Sequence, residues 1–206
     1  MNILDFLSPG RARAIDGFHP VASSPLEQRL RDAGATFEER DGWLVATSVP
    51  HEAEHAAACG VADLSHLGKL EVRGAVDQPP GATIWYPITP ERILCLCPPW
   101  TVHPMIDALS DQARLVLDQT GQLGVIALVG PEARTVLRRV SALDELPASG
   151  LVAHVAAHVL ERQGTILVVF GQEVGHYLWE AIVDAAEPFG GGPVGVDLLG
   201  DAGRIE

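Results

Sequence analysis

Positive charge is scarce in this chain, and lysine is almost absent. Its 206 residues include 14 Lys and Arg against 27 Asp and Glu, which gives a formal net charge of −13. Lys69 is the single lysine, and no run of Lys or Arg occurs. Because a nucleic-acid surface needs clustered basic residues to neutralise phosphates, we expect no nucleic acid among its partners.

Long apolar runs and a cysteine framework are also missing. No apolar stretch reaches the roughly eighteen residues that a membrane span requires, so no membrane association is expected. The start of the chain contains Asp5 and lacks the basic region of a signal peptide. Three cysteines (Cys59, Cys95 and Cys97) make no disulfide scaffold, which favours a reducing cytoplasm.

One phrase occurs twice. Residues 63–74 and 118–131 each open with Asp-x-Ser or Asp-x-Thr, turn through a glycine-containing stretch and continue as an apolar strand. In each copy the aspartate and the hydroxyl residue can bond nearby backbone amides and hold a turn. The offset of the copies indicates two related α+β modules, with two unrelated hairpins as the alternative.

The rest of the chain alternates short strands with helices, which predicts an α+β fold with mainly antiparallel sheets and packed helices. We expect a tail or docking arm at 1–22, a first module at 23–113 and a second module at 114–206. The local predictions are a helix start at 24–27, a hairpin at Asp41-Gly42, a helix at 50–59, a loop or linker at 75–90, a strand at 92–97, helices at 101–110 and 131–140, strands at 152–160 and 165–170, and the longest helix at 173–186.

Residues 51–55 read His-Glu-Ala-Glu-His, a pattern that also occurs in zinc peptidases. The predicted helix is about three turns long, and His51 lies at its entrance. No histidine follows at the metzincin spacing, so polar residues in the first helical turn are the preferred interpretation. We expect no metal at His51, Glu52 and His55.

Two other pairs of side chains share a spacing that metals or catalysis can use. Cys95 and Cys97 lie on one face of a predicted strand, and buried apolar cysteines are the favoured interpretation because a free thiol behaves as a small hydrophobe. His154 and His158 also fall in a predicted strand, as surface or core histidines. These residues alone identify no catalytic group, and the catalytic residues stay unknown.

The stretch around the first phrase resembles the opening of the glycine cleavage T-protein (aminomethyltransferase) superfamily. The similarity lies in Ser24-Pro25-Leu26, Ala33-Gly34-Ala35, Trp43 and, above all, residues 52–74. The second phrase, with Gly130-Pro131-Glu132-Ala133, is similar to a second family line, and residues 193–206 resemble a divergent form of its ending. The resemblance covers about residues 24–206.

The departures point to a small relative. The segment that holds the family's catalytic aspartate corresponds to residues 83–94, which contain no Asp and no Gly-Gly pair. The segment with its folate-contacting glutamate is absent from residues 160–175, and we expect no carboxy-terminal barrel. Both replacement segments are similar to the gamma subunit of heterotetrameric sarcosine oxidase.

The resemblance implies a truncated T-protein-like subunit of a folate-linked amine oxidase or demethylase complex, structural rather than catalytic. Its expected partners are the other subunits of that complex. A stand-alone tetrahydrofolate-binding aminomethyl or one-carbon transferase with a rearranged site is the alternative. The candidate cofactor-binding residues are Asp63, Ser65, Trp85 and Arg204, with tetrahydrofolate as the possible cofactor and no metal. For Asp63 and Ser65, bracing a turn is the competing role.

Overall fold

The computed structural model describes residues 20–82 and 84–202. Arg204 and most of the expected arm at 1–22 lie outside these residues. The helices are α1 Glu27–Asp32, α2 Glu52–Ala58, α3 Val102–Ser110, α4 Ala133–Val140 and α5 Gly175–Ala186. The strands are β1 Ala22–Ser23, β2 Thr36–Arg40, β3 Trp43–Ser48, β4 Gly60–Asp63, β5 Gly68–Arg73, β6 Ile84–Thr89, β7 Arg92–Cys97, β8 Leu115–Asp118, β9 Leu123–Val129, β10 Ala148–Val152, β11 Val155–Arg162, β12 Thr165–Gly171 and β13 Gly192–Pro193.

Within the described residues these strands form three sheets. The sheets have the orders β1-β3-β2, β10-β11-β12-β9-β4-β13 and β6-β7-β5-β8. All strand pairs are antiparallel except β1 with β3 and β13 with β4. The predicted α+β class with mainly antiparallel sheets is confirmed.

The strands at the two copies of the repeated phrase pair with each other. The first copy begins at the last residue of β4 and contains β5, and the second begins at the last residue of β8 and contains β9. β4 pairs with β9 in the six-stranded sheet, while β5 pairs with β8 in the four-stranded sheet. The chain therefore crosses between the two sheets at residues 63–68 and again at 118–123. The division at 113/114 stays a prediction.

Alternation along the central strands separates three cores. Ile166, Val168 and Phe170 of β12 join a core that also contains residues of α1, α4 and α5, whereas Leu167 and Val169 face a second core. That second core includes Leu94 and Leu96 of β7, so it lies between the six-stranded and four-stranded sheets. Ile93, Cys95 and Cys97 point to the opposite face of β7, into a third core with α3. Continuous apolar runs such as residues 165–170 fit strands that are buried on both faces.

The strands that the sequence patterns missed include β6 and β10. Residues 75–90, expected to be a loop or linker, contain β6, which pairs with β7 despite Pro87 because β6 lies at the edge of its sheet. The expected strand 152–160 is two strands, β10 and β11, joined at Ala153 and His154, where φ is 46° and 67°. His154 therefore lies in a turn and shares no strand face with His158.

Several local predictions are confirmed with small shifts at the ends. Asp41 and Gly42 form the tight turn between β2 and β3, with φ values of 50° and 84°. The helices expected at 50–59, 101–110, 131–140 and 173–186 are α2, α3, α4 and α5. Ser24 Oγ accepts a hydrogen bond of 3.0 Å from the Leu26 amide ahead of α1. No helix in the described ranges has the length and apolar character to span a bilayer.

Candidate functional site

The two repeated turns have the same internal hydrogen bond. The Ser65 amide donates to Asp63 Oδ1 at 2.9 Å, and the Thr120 amide donates to Asp118 Oδ1 at 2.9 Å. A short carboxylate side chain can accept from the amide two residues later, which holds the chain in a turn. The predicted Asx turns are present in both copies.

The turns also bond to each other in a reciprocal way. Ser65 Oγ accepts from the Val125 amide at 3.0 Å, and Thr120 Oγ1 accepts from the Lys69 amide at 3.1 Å. The backbone repeats the pattern: the Leu64 amide donates to the Val125 carbonyl at 2.9 Å, and the Gln119 amide donates to the Lys69 carbonyl at 2.8 Å. Lys69 and Val125 therefore occupy equivalent positions in the two copies.

Lys69 is fully buried at this crossing, where its counterpart is an apolar valine. Its ammonium group donates to the Ser65 carbonyl at 2.6 Å and lies 5.7 Å from the centre of the Trp43 ring. Burying an amine at this position costs solvation free energy, and burying a valine has no such cost. The repeat alone does not require a lysine at this position.

Burial changes the protonation of the groups around Lys69. It lowers the Lys69 pKa to about 7, although the charges of Asp63, Asp118 and Cys97 oppose the shift. Burial also raises the Asp63 pKa, against hydrogen bonds from Ser24 and Ser65 and the charge of Lys69. Both groups are thus shifted towards their neutral forms.

His66 lies next to this pair and is partly buried. Desolvation, followed by the charges of Lys69 and Arg40, lowers its pKa to about 3. His66 is therefore neutral at physiological pH, as a proton acceptor must be. Asp63, Ser65, His66, Lys69 and Trp43 form a polar cluster, which we call the crossing cluster.

The structure brings two of the four candidate cofactor residues together. Asp63 and Ser65 lie in the crossing cluster, with exposed fractions of 7% and 1%. Trp85 lies on β6, opposite Cys95, and packs against the third core. Arg204 lies outside the described residues. The assignment of these four to a cofactor stays a prediction.

The cavities along the described fold include an open cleft and a smaller pocket. An open cleft of about 670 Å³ is lined by Pro25, Gln122, Leu123, Gly171, Gln172, Glu173 and His176. A smaller one of about 80 Å³ lies between the two large sheets, lined by Glu71, Ile88, Arg92, Leu94, Gln119, Leu123 and His158. Asp63, Ser65 and Trp85 line neither cavity.

The polar residues of α2 have structural contacts. Glu52 Oε2 accepts from the Val49 amide at 2.9 Å and from the Gly195 amide at 3.0 Å. His55 Nδ1 lies 2.8 Å from the Pro193 carbonyl. His51 is exposed at the helix start, in a left-handed conformation with φ of 62°. In the described part of the chain, no three His, Cys, Asp or Glu side chains are grouped as metal ligands.

Lys69 is the residue that the sequence patterns missed. Along β5, Lys69, Glu71 and Arg73 alternate with Leu70 and Val72, a pattern typical of a strand with one solvated face. That face instead packs towards the six-stranded sheet, and Lys69 and Glu71 are both buried. The available signal was that the only lysine of the chain lies inside the repeated phrase.

Known proteins resemble this chain in two ways. A 54-residue stretch is 52% identical to the aminomethyltransferase of Mycobacterium avium and covers 24% of this chain and 15% of that protein. A 58-residue stretch is 43% identical to a probable aminomethyltransferase of Halobacterium salinarum, over 26% of this chain and 16% of that protein. These matches span less than a fifth of the relatives' length. No protein-family model matches the chain.

Solved structures extend the likeness to most of the fold. The glycine cleavage system aminomethyltransferase T of Bartonella henselae superposes with a TM-score of 0.63 at 16% identity, over 86% of this chain and 60% of that chain. The 206-residue chain therefore has the T-protein fold. A chain of the heterotetrameric sarcosine oxidase of Corynebacterium sp. U-96 superposes with a TM-score of 0.60 at 15% identity, over 81% of this chain and 95% of that chain. The T-protein fold is thus present here over about three fifths of the length of the Bartonella protein.

Proposed function

We propose that this protein is a T-protein-like subunit of a folate-linked amine oxidase or demethylase complex, structural rather than catalytic, and most like the gamma subunit of heterotetrameric sarcosine oxidase. The observation that carries the proposal is the coverage of 95% of the oxidase chain against 60% of the T-protein chain. A chain that superposes on nearly the whole of an oxidase subunit is large enough to occupy the equivalent position in such an assembly.

The crossing cluster supports a structural role. Aminomethyl transfer needs a carboxylate that faces the amine and polar groups that hold the pterin. The Asp63 carboxylate faces inward and is bonded to the Ser65 amide, and Ser65 Oγ is bonded to the Val125 amide. In the segment matched to the family's catalytic aspartate, residues 84–89 form an edge strand without any carboxylate. These groups hold the crossing of the chain together.

Purification of the tagged chain from its native cells, together with whatever it binds, tests this proposal. We expect a stoichiometric complex that carries flavin and consumes oxygen when an N-methyl amine is added. The isolated chain is the control and is expected to catalyse neither amine oxidation nor one-carbon transfer. An isolated chain that transfers one-carbon units to tetrahydrofolate would contradict the proposal.

The alternative is a stand-alone tetrahydrofolate-binding aminomethyl or one-carbon transferase with a rearranged site. The cleft of about 670 Å³ favours it, because its volume lies in the range of small-molecule sites. Its walls carry the Glu173 carboxylate, the His176 imidazole and the amides of Gln122 and Gln172. These groups would hydrogen-bond a pterin ring or face an amine.

Titration with tetrahydrofolate, followed by calorimetry and thermal unfolding, separates the two candidates. A ligand that binds only the native state raises its stability, so the transferase predicts a saturable rise in melting temperature. That rise would weaken in Glu173→Gln and His176→Ala and persist in Glu54→Gln, whose exposed side chain lies outside the cleft. No shift at millimolar tetrahydrofolate would rule the transferase out.

A further inference from the structure

Most of the sulfur in this chain is gathered in one place. Apart from Met1, the chain has four sulfur-containing residues, and three of them (Cys95, Cys97 and Met105) lie in the third core. Cys95 Sγ lies 3.4 Å from Met105 Sδ, and Cys97 lies two residues further along β7, in the same core as Cys95. We call these three residues the sulfur cluster. The fourth, Cys59, is buried in the first core.

Two local features of the sequence assemble the sulfur cluster. Cys95 and Cys97 are two residues apart on β7, so their side chains point to the same face. The chain then turns at Pro98-Pro99 and continues as α3, which returns Met105 to that face. Opposite Cys97 in the neighbouring strand is Gly68, where an added Cβ would lie 2.7 Å from Cys97 Sγ. Glycine at 68 leaves the space that the thiol occupies.

The chemistry of the cluster selects a soft metal ion. Thiolate and thioether sulfurs favour Cu(I), whereas Mg²⁺ and Ca²⁺ prefer oxygen ligands and a structural Zn²⁺ takes four N, S or O ligands. Two thiols and one thioether provide three sulfur ligands, and the apolar residues around them, among them Leu70, Val72 and Val102, keep water away. Simple core filling would be served equally well by aliphatic side chains.

We propose that Cys95, Cys97 and Met105 form a binding site for one Cu(I) ion. Two Cu–S bonds form as the two S–H bonds lose their protons to solvent, and Met105 Sδ donates a lone pair without losing a proton. The metal stays Cu(I) throughout, so no oxidant or reductant is required. The bound unit carries one negative charge, and the charged groups that act on Cys97 include Asp118 and Lys69.

Anaerobic titration of the full chain with Cu(I), against a coloured Cu(I) chelator, tests the site. We expect the chain to withdraw one equivalent of Cu(I), with release of two protons. Cys95→Val and Cys97→Val, which keep the packing apolar, should each weaken binding about 100-fold or more. Met105→Leu should weaken it about 10-fold, because a neutral thioether is the weaker ligand.

Cys59→Val is the matched control, since it removes a buried thiol that lies outside the cluster. It should bind Cu(I) as the original chain does, and Zn²⁺ should not compete. Far-UV circular dichroism and thermal unfolding report whether each variant is folded. Cu(I) uptake that is absent in the original chain, or equal in folded Cys95→Val, Cys97→Val and Cys59→Val, would overturn the proposal. These outcomes are independent of folate binding and of complex formation.

Discussion

At the scale of single residues, the buried amine of Lys69 should make stability depend on pH. Its pKa is lowered from 10.5 to about 7 in the folded chain. Between these values the unfolded chain binds more protons than the folded one, so the free energy of unfolding rises with pH; below about pH 7 the penalty is complete and adds no slope.

The variant Lys69→Met tests this expectation because it keeps the length of the side chain without the charge. From pH 7 to pH 9 the original chain should gain about 2 kcal/mol in unfolding free energy relative to the variant, as measured by urea denaturation. Arg162→Met, at a partly exposed position on β11, should retain the slope of the original chain. Equal slopes for the original chain and Lys69→Met would show that Lys69 is solvated in solution.

The paired Asx turns give a second prediction at this scale. Asp63→Ala leaves the Ser65 amide without its buried acceptor and should cost about 1–3 kcal/mol in unfolding free energy. Asp118→Ala removes the equivalent bond at an exposed site and should cost less than about 1 kcal/mol. Asp63→Asn keeps an acceptor oxygen and should be milder than Asp63→Ala. Similar losses at positions 63 and 118, measured by denaturation, would argue against the difference in burial.

At the scale of elements, Glu52 at the start of α2 accepts from the backbone amides of Val49, just before the helix, and Gly195, just after β13. Glu52→Ala should lower the free energy of unfolding by about 1–3 kcal/mol, because two amides lose a charged acceptor. Glu54→Ala, two residues along the same helix and exposed, should change it by less than about 0.5 kcal/mol. Equal effects of the two substitutions would mean that the Glu52 contacts do not stabilise the fold.

Local sequence patterns predicted the strands and helices well where particular residues specify the turns between them. Asp41-Gly42 and the two Asp-x-Ser/Thr phrases specify turns through side chains and φ values within a few residues, and the structure has each of them. The strand at 84–89 was missed because prolines and glycines around it are typical of loops, while its pairing with β7 is a contact at an edge. His154 was misplaced because a turn of two non-glycine residues has no strong sequence signal.

Sequence patterns predicted only part of the crossing cluster. Asp63 and Ser65 stand out in the repeated phrase, but their inward orientation depends on β4 pairing with β9 and β5 with β8. Such pairing joins residues about sixty positions apart, and no local pattern reports it. For the same reason, the alternation around Lys69 indicated a solvated face that the second sheet in fact covers.

At the scale of the whole molecule, the net charge of −13 should affect the rate at which the protein associates with a partner. If the subunit proposal holds, the facing surface of the oxidase should be basic, and opposite charges should accelerate association. The association rate measured by stopped flow should therefore fall as salt rises from about 50 to 500 mM, because the Debye length shortens. Dissociation should change much less. A salt-independent association rate would indicate an uncharged interface.

Because Lys69 is buried, the exposure of its ε-amino group indicates local opening of the fold. The only ε-amino group of this sequence is inside, so amine-reactive labels should leave Lys69 unmodified in the native protein. A lysine-specific protease has a single cleavage point and can reach it only when the crossing opens. Labelling the lysine ε-nitrogen with ¹⁵N would give one resonance, from the centre of the fold. Opening of the crossing can therefore be followed at the ε-nitrogen of Lys69.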